Sequence, residues 1–277
     1  MINTLVSLDA DLASSIAFRY ACRLAELVDM HLQTIHVEEV EKEGYPPGSG
    51  WVRSTWEKGL LQTAQEEISQ LINTEKSACP PLDASMVLIG DREEELLREI
   101  EKESPDVLLE GVLSSFEAQL FFQKVRSKLY KYAPCPIILV KNLVDPGRVA
   151  LLMADSKDVR SVVTTFLTLF GQSKLVVDLV YYTTKNYEHA QFKKEIADTP
   201  EPGLEHAGQV IGEAKAMLAE QGRAAGACWA IQDASRKIGE SLGEYGLVGA
   251  RTPRGVSRKN IVMDLLSRVP SATLLCK

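Results

Sequence analysis

The segment Gly249-Ala250-Arg251-Thr252-Pro253-Arg254-Gly255-Val256-Ser257-Arg258-Lys259-Asn260 carries two glycines, four basic residues and no acidic one. That mixture suits anion binding. Glycines let backbone N–H groups approach a phosphate, a following helix offers its positive end, and arginines add charge-assisted hydrogen bonds. The expected contacts are Gly249, Thr252, Gly255, Ser257 and Arg258, with amide donors at Gly255 to Ser257 and Arg251 or Arg254 closing over the anion. Pro253 has no N–H and limits the convergence of donors. The bland alternative is a basic surface loop facing an acidic partner surface.

The elements that must position this loop are written twice along the chain. An apolar strand, Asn3 to Leu8, ends in Asp9 and leads into the helix-period stretch ASSIAFRYACRLAELV; Val149 to Ala154 ends in Asp155 and leads into VRSVVTTFLTLFG. Each half continues with a second strand (32–39 and 175–183), a long polar loop, and a helix (62–73 and 206–221). Third strands (85–90 and 226–232), fourth strands (106–111 and 245–249) and last strands (136–141 and 272–277) follow, with helices between them. Pro146-Gly147 punctuates the linker 142–147. Strands separated by helices imply parallel sheets, so each half is read as a five-stranded doubly wound α/β unit with ligands at the carboxyl ends of its strands. The halves are expected to remain separate five-stranded sheets, related by a pseudo-twofold axis. Their shared surface centres on 136–140 and 272–276, which are apolar beyond what one sheet face requires. One continuous sheet would contradict that arrangement.

Bulk composition narrows the function. The net charge of −7 divides unevenly: residues 1–143 hold 14 Lys+Arg against 23 Asp+Glu, or −9, leaving 17 against 15, or +2, for the rest. An acidic chain is a poor nucleic-acid binder. No run of 18 apolar residues and no basic leader occurs, so a cytoplasmic chain without a membrane segment is expected. Cys22, Cys79, Cys135, Cys228 and Cys276 are odd in number and widely spaced, which suggests buried small side chains rather than disulfides or a zinc site. His31, His36, His189 and His206 show no metal-ligand spacing, and no metal is expected. His36 is read as a structural histidine at a strand end.

The ordered set of a strand ending in Asp9, IHVEE, Gly90-Asp91, DVLLEG and YAPCPIILVK resembles the universal stress protein family over residues 2–141. Residues 149–277 repeat the resemblance more weakly, with RVPSATLLCK at the end and GARTPRGVSR in place of the glycine-rich segment. The resemblance implies two tandem Rossmann-like, adenine-nucleotide alpha hydrolase-like domains, 1–143 and 148–277, pairing within the chain as the family's homodimers do, commonly through the last strand. Its nucleotide-binding members carry G-x2-G-x9-G-[ST], with a strand-end Asp facing adenine. In the first half Gly111 fits the first glycine, but Ser114 and Lys124-Val125 replace the others. Glu110 and Glu117 add negative charge there, and Val112, Leu113 and Phe116 add bulk, so no nucleotide is expected. In the second half Gly249 and Gly255-Val256-Ser257-Arg258 fit, Thr252 replaces the second glycine, and no Gly-Ser pair stands near Asn260 to Asp264.

Asp155 is read either as the adenine contact or as a helix N-cap; for Asp9 the cap is favoured. The run 92–103 is read as a solvated helix face, and Trp51 and Trp56 as a partner surface or a lid in a loop. Nucleophile-elbow, P-loop, zinc-protease and G-x-G-x-x-G signatures are absent, so no catalytic residue is assigned. The expected function is a cytoplasmic stress-response protein binding ATP or another adenine nucleotide, or another phosphate-bearing ligand, weakly in its second half. A tandem scaffold acting through protein–protein contacts is the alternative, and an ATP-using enzyme with a cryptic site built on Asp9 or Asp155 the third reading. Further self-association or a protein partner stays open.

Overall fold

The computed structural model describes residues 1–40, 50–75, 79–113, 118–184, 192–196, 203–252 and 260–277. The first half runs β1 (Ile2–Ser7), α1 (Leu12–Leu27), β2 (Met30–Glu38), α2 (Trp51–Glu75), β3 (Met86–Ile89), α3 (Arg92–Glu103), β4 (Val107–Gly111), α4 (Ala118–Arg126), α5 (Lys128–Tyr132) and β5 (Ile137–Val140). The second runs β6 (Arg148–Met153), α6 (Ser156–Phe170), β7 (Val176–Thr183), β8 (Phe192–Glu195), α7 (Glu205–Glu220), β9 (Cys228–Gln232), α8 (Ser235–Ser241), β10 (Leu247–Arg251), α9 (Ile261–Arg268) and β11 (Ala272–Cys276).

Local chemistry starts the helices where they start. Asp11, Asp91, Asp155 and Asn260 cap α1, α3, α6 and α9 by accepting backbone N–H bonds, each satisfying donors that a helix start leaves orphaned. The cap of α1 is thus Asp11, not Asp9, a correction with a simple cause: Asp9 is drawn into a charge cluster described below. In α6, buried Val159, Val162, Val163, Phe166 and Phe170 recur three and four apart and lie against the sheet. Trp51 opens α2 rather than standing in a loop, and it is 78% exposed.

The strand order is β3-β2-β1-β4-β5-β11-β10-β6-β7-β9-β8. Five strands of each half are mutually parallel, as expected, but the two sets are not separate sheets. β5 and β11 pair antiparallel, Ile138 opposite Leu274 and flanked by Leu139–Thr273 and Ile137–Leu275. The expectation of separate sheets is corrected: the last strands of the two halves meet edge to edge. An unpaired row of N–H and C=O groups on a buried strand is costly, and pairing the two edges satisfies both rows at once. Every residue of both strands is buried. β8, absent from the sequence reading, adds an antiparallel edge strand beside β9.

Two apolar layers cover the sheet, and each crosses the seam. Ile138 and Leu274 lie in one layer with Val6 and Leu151; Ile137, Leu139 and Leu275 lie in the other with Leu5 and Leu152. Lys141, 2% exposed, leaves the end of β5 and donates to the carbonyls of Leu266 and Val269 at the C-terminal end of α9, with its ammonium 4.5 Å from the Phe121 ring. Burial pulls its pKa down to about 7. The Tyr20 hydroxyl donates to the Gly246 carbonyl, 3.0 Å away in the other half.

Cys22 on α1 and Cys79 ahead of β3 form a disulfide, their Cα atoms 4.6 Å apart. This corrects the expectation of unpaired cysteines. The two lie 57 residues apart in sequence, and only the packing of α2 and the entry to β3 onto α1 brings them together.

Removing either seam side chain should be expensive. Ile138→Ala and Leu274→Ala are each expected to cost about 2–5 kcal/mol. Because the two side chains are register partners, the double variant should depart from additivity by at least about 0.5 kcal/mol. Urea unfolding of the four proteins checks this; strict additivity would mean that the two side chains do not meet.

Candidate ligand site

β1 lies between β2 and β4, so the chain leaves the sheet on opposite sides at its carboxyl end, where α/β sheets open a crevice. A cavity of about 520 Å³ occupies that place in the first half, lined by residues that include Ser7, Asp9, Arg92, Gly111, Lys124 and Tyr130. Beneath it, Glu110 is 1% exposed and accepts from Arg92 (2.5 Å) and the Tyr130 hydroxyl (2.8 Å), with the Lys124 ammonium 3.5 Å away. Arg92 also reaches the Ser7 hydroxyl at 2.8 Å and Asp9 at 3.4 Å. Burial alone would raise the pKa of Glu110, but Arg92 and Lys124 outweigh it and hold the carboxyl below its ordinary value. A buried carboxylate is tolerable only with such partners.

His36 ties the cluster to β2. Its Nδ1 lies 2.8 Å from the Leu8 carbonyl and 3.5 Å from Asp9, and its Nε2 lies 3.2 Å from Glu38. Burial lowers the imidazole's pKa, but Asp9, the Leu8 carbonyl and Glu38 more than compensate, and it is pushed up to about 9. The cavity lining carries four carboxylates, Asp9, Asp11, Glu39 and Glu93, against Arg92 and Lys124, with Glu110 behind them. A triphosphate would enter a field of its own sign.

Gly111 has a packing reason to be glycine. A Cβ there would lie 2.2 Å from the Ala13 carbonyl oxygen at the start of α1. Strand register shows which second-half residue occupies its place. Pairing outward from Ile138–Leu274, Leu108 matches Val248 and Gly111 matches Arg251. Gly249 is therefore the counterpart of Leu109, not of Gly111. It is buried in mid-strand, where a Cβ would meet Leu151 at 3.0 Å and Val162 at 3.6 Å, so its role as the first glycine of a phosphate loop is corrected. By the same register Asp9 matches Ala154; Asp155 is the counterpart of Asp11 by role, each being the N-cap of the helix that follows the first strand of its half.

These matches, the parallel order of strands and the cavity at the β1–β4 crevice agree with an independent observation: the model of the universal stress protein family matches residues 1–141 of the 277. The chain belongs to the universal stress protein family. Among solved structures it is similar to a universal stress protein from Archaeoglobus fulgidus, with 12% identity, 99% of this chain and 98% of that one covered, and a TM-score of 0.66. It is also similar to a putative universal stress protein from Pseudomonas aeruginosa, with 12% identity, 99% and 92% covered, and a TM-score of 0.56. At such identities the likeness concerns the fold, and here the fold spans both halves. No curated protein matches the chain in sequence.

In this universal stress protein the sequence-derived site residues divide three ways. Asp155 caps α6, its Oδ1 accepting from the N–H groups of Lys157 (2.8 Å) and Asp158 (2.9 Å). Arg251, 36% exposed at the side chain, pairs with Asp158 at 3.0 Å, and Asp158 in turn accepts from the Ala154 N–H. Thr252 donates its N–H (2.8 Å) and its hydroxyl (3.0 Å) to the Cys276 carbonyl, fixing the exit of β10 against β11. Arg254, Gly255, Ser257 and Arg258 lie outside the described residues, as do Pro253 and, in the first half, Ser114, Phe116 and Glu117. Among the described residues no cluster of three His, Cys, Asp or Glu could hold a metal ion, and no helix is long and apolar enough to cross a membrane.

Sequence reading missed Arg92 and Tyr130. Arg92 was counted in a solvated helix face, yet it is the first residue of α3 and turns inward to the strand ends. The available signal was Glu110 itself, a carboxylate in an apolar strand that demands a cationic partner.

The His36 pKa sets a pH window. Because the folded value lies above the ordinary 6.5, the stabilisation is fully present below pH 6.5 and is lost as pH rises through about 9. Wild type should exceed His36→Gln in stability by a margin that shrinks across that interval, as read by urea midpoints; a margin that grows with pH would contradict the assignment.

Proposed function

We propose that the chain is a cytoplasmic, non-catalytic stress-response regulator, with residues 1–143 and 148–277 as its two domains, that binds a phosphate-bearing ligand weakly in the second. An adenine nucleotide is the ligand class, held by Arg251, Arg254, Gly255, Ser257 and Arg258. The observation that carries this reading is the inversion of charge at equivalent strand ends. Glu110-Gly111 in the first half become Ala250-Arg251 in the second, so a buried carboxylate is replaced by a methyl group and a glycine by a guanidinium. Family membership supports the regulatory role, and the net charge of residues 144–277, +2, supports an anionic ligand.

The binding is weak for a physical reason. Charge-assisted contacts contribute about 1.5–3 kcal/mol each; Pro253 has no backbone N–H to offer, and that of Thr252 is already donated to the Cys276 carbonyl. Losing two or three such contacts moves a micromolar site to about the millimolar range. A tandem scaffold without nucleotide is the second reading, favoured by the bonds that already occupy Asp155 and Thr252.

Calorimetric titration of ATP decides between them. Wild type should respond at millimolar nucleotide, Arg251→Ala and the Ser257→Ala, Arg258→Ala double variant should each weaken it at least about tenfold, and Lys124→Ala should leave it unchanged. Equal, null responses from all of them up to millimolar ATP would replace this reading with the scaffold.

A further inference from the structure

One face of α1 holds the end of α2 and the chain beyond it. Ser15, Arg19 and Cys22 are spaced four and three residues apart and so share a helix face. The Ser15 hydroxyl donates to Glu75 at 2.5 Å, Arg19 pairs with the same carboxylate, and Cys22 is bonded to Cys79. These are three successive rungs, and the third is covalent. The segment it secures, residues 79–85, leads into β3, which forms the outer strand of the sheet and is followed by Arg92 and Glu93 in the lining of the first-half cavity.

We infer that the Cys22–Cys79 pair is a reversible redox latch, closed by a disulfide or peroxide oxidant and opened by a small thiol, that fastens the α2–β3 connection to α1. Exposure differs sharply between the two sulfurs' residues. Cys22 is 2% exposed, whereas Cys79 is half-buried and lines an open cavity of about 530 Å³ with Ser69, Pro80 and Pro81. Cys135, Cys228 and Cys276 are buried and unbridged. Exchange therefore has one accessible sulfur. A thiolate attacks Cys79 Sγ, the bond to Cys22 breaks, and Cys22 leaves as a thiolate that takes up a proton. A second thiol then attacks the mixed disulfide, releasing Cys79 as a thiol and the reagent as its disulfide. In the forward direction the two cysteines lose two electrons and two protons, which reduce glutathione disulfide to two glutathione molecules. With the bond open, the Ser15 and Arg19 contacts to Glu75 remain, so the segment loosens while the fold persists.

The full-length protein tests this. After exposure to glutathione disulfide, alkylation under denaturing conditions should leave two of the five cysteines protected, with peptide mapping linking Cys22 to Cys79. Millimolar glutathione applied to the native protein should return all five to the alkylated pool. The oxidised form should melt about 5 °C above the reduced form, and hydrogen exchange over residues 79–89 should be faster in the reduced form. Cys79→Ser should melt like reduced wild type in both conditions, while Cys135→Ser keeps the oxidation shift. If Cys22→Ser does not fold, the half-buried Cys79 variant still carries the comparison. Five alkylated cysteines after oxidation would overturn the latch, and so would identical exchange in the two forms. A bond that survives native glutathione treatment would also overturn it, as a permanent cross-link. None of these readouts involves nucleotide, so they stand or fall apart from the ligand site of the second half.

Discussion

The antiparallel pairing of β5 with β11 is the constraint from which the rest of the architecture follows. Each strand ends a parallel set, and each would otherwise present an open edge with apolar side chains on both faces. Joining them satisfies the backbone of both and extends two apolar layers across the molecule. Parallel sheets need cover on both faces, and here each half helps to cover the other. Lys141 reaches across to α9, and Tyr20 reaches the turn before β10. The linker is seated as well, since a Cβ at Gly246 would lie 1.9 Å from the Asp145 carbonyl oxygen.

The sense of that pairing decides where ligands can go. Because β5 and β11 run in opposite directions, the carboxyl ends of the first half's strands lie on one edge of the sheet and those of the second half on the other. The acid-lined cavity and the Arg251 end of β10 therefore face away from each other. No ligand can bridge them, and each edge could change its charge without disturbing the other. In the first half Glu110 is buried against Arg92, and four carboxylates line the cavity above it. The second half exchanged the same position for alanine and placed a guanidinium beyond it.

Much of this was legible in the residues, and the failures have physical causes. Ile137 to Val140 and Ala272 to Cys276 announced themselves as doubly buried because their apolar residues do not alternate with polar ones. That these strands meet edge to edge in one sheet is not written in their side chains, since backbone groups common to every residue make the contact; only the family resemblance pointed to the last strands. β8 was invisible because Lys193, Lys194 and Glu195 are all exposed and give no two-residue period. Gly249 misled because a glycine packed under the Leu151 side chain carries the same letter as one required by a phosphate; the strand register, two residues different, separates them. Arg92 was hidden in a helix whose other charged residues mostly do face water, and its place as the first residue of that helix, next to the strand ends, sets it apart.

Native-state hydrogen exchange along the seam reads directly whether the β5–β11 pairing makes one body of the two halves. If the two halves are one cooperative body, amides of Ile137–Val140 and Ala272–Cys276 should exchange only through the global opening, with the same free energy as the interiors of β1 and β6. Seam amides that exchange at a markedly lower free energy than both interiors would contradict the account, showing two bodies that separate before either unfolds.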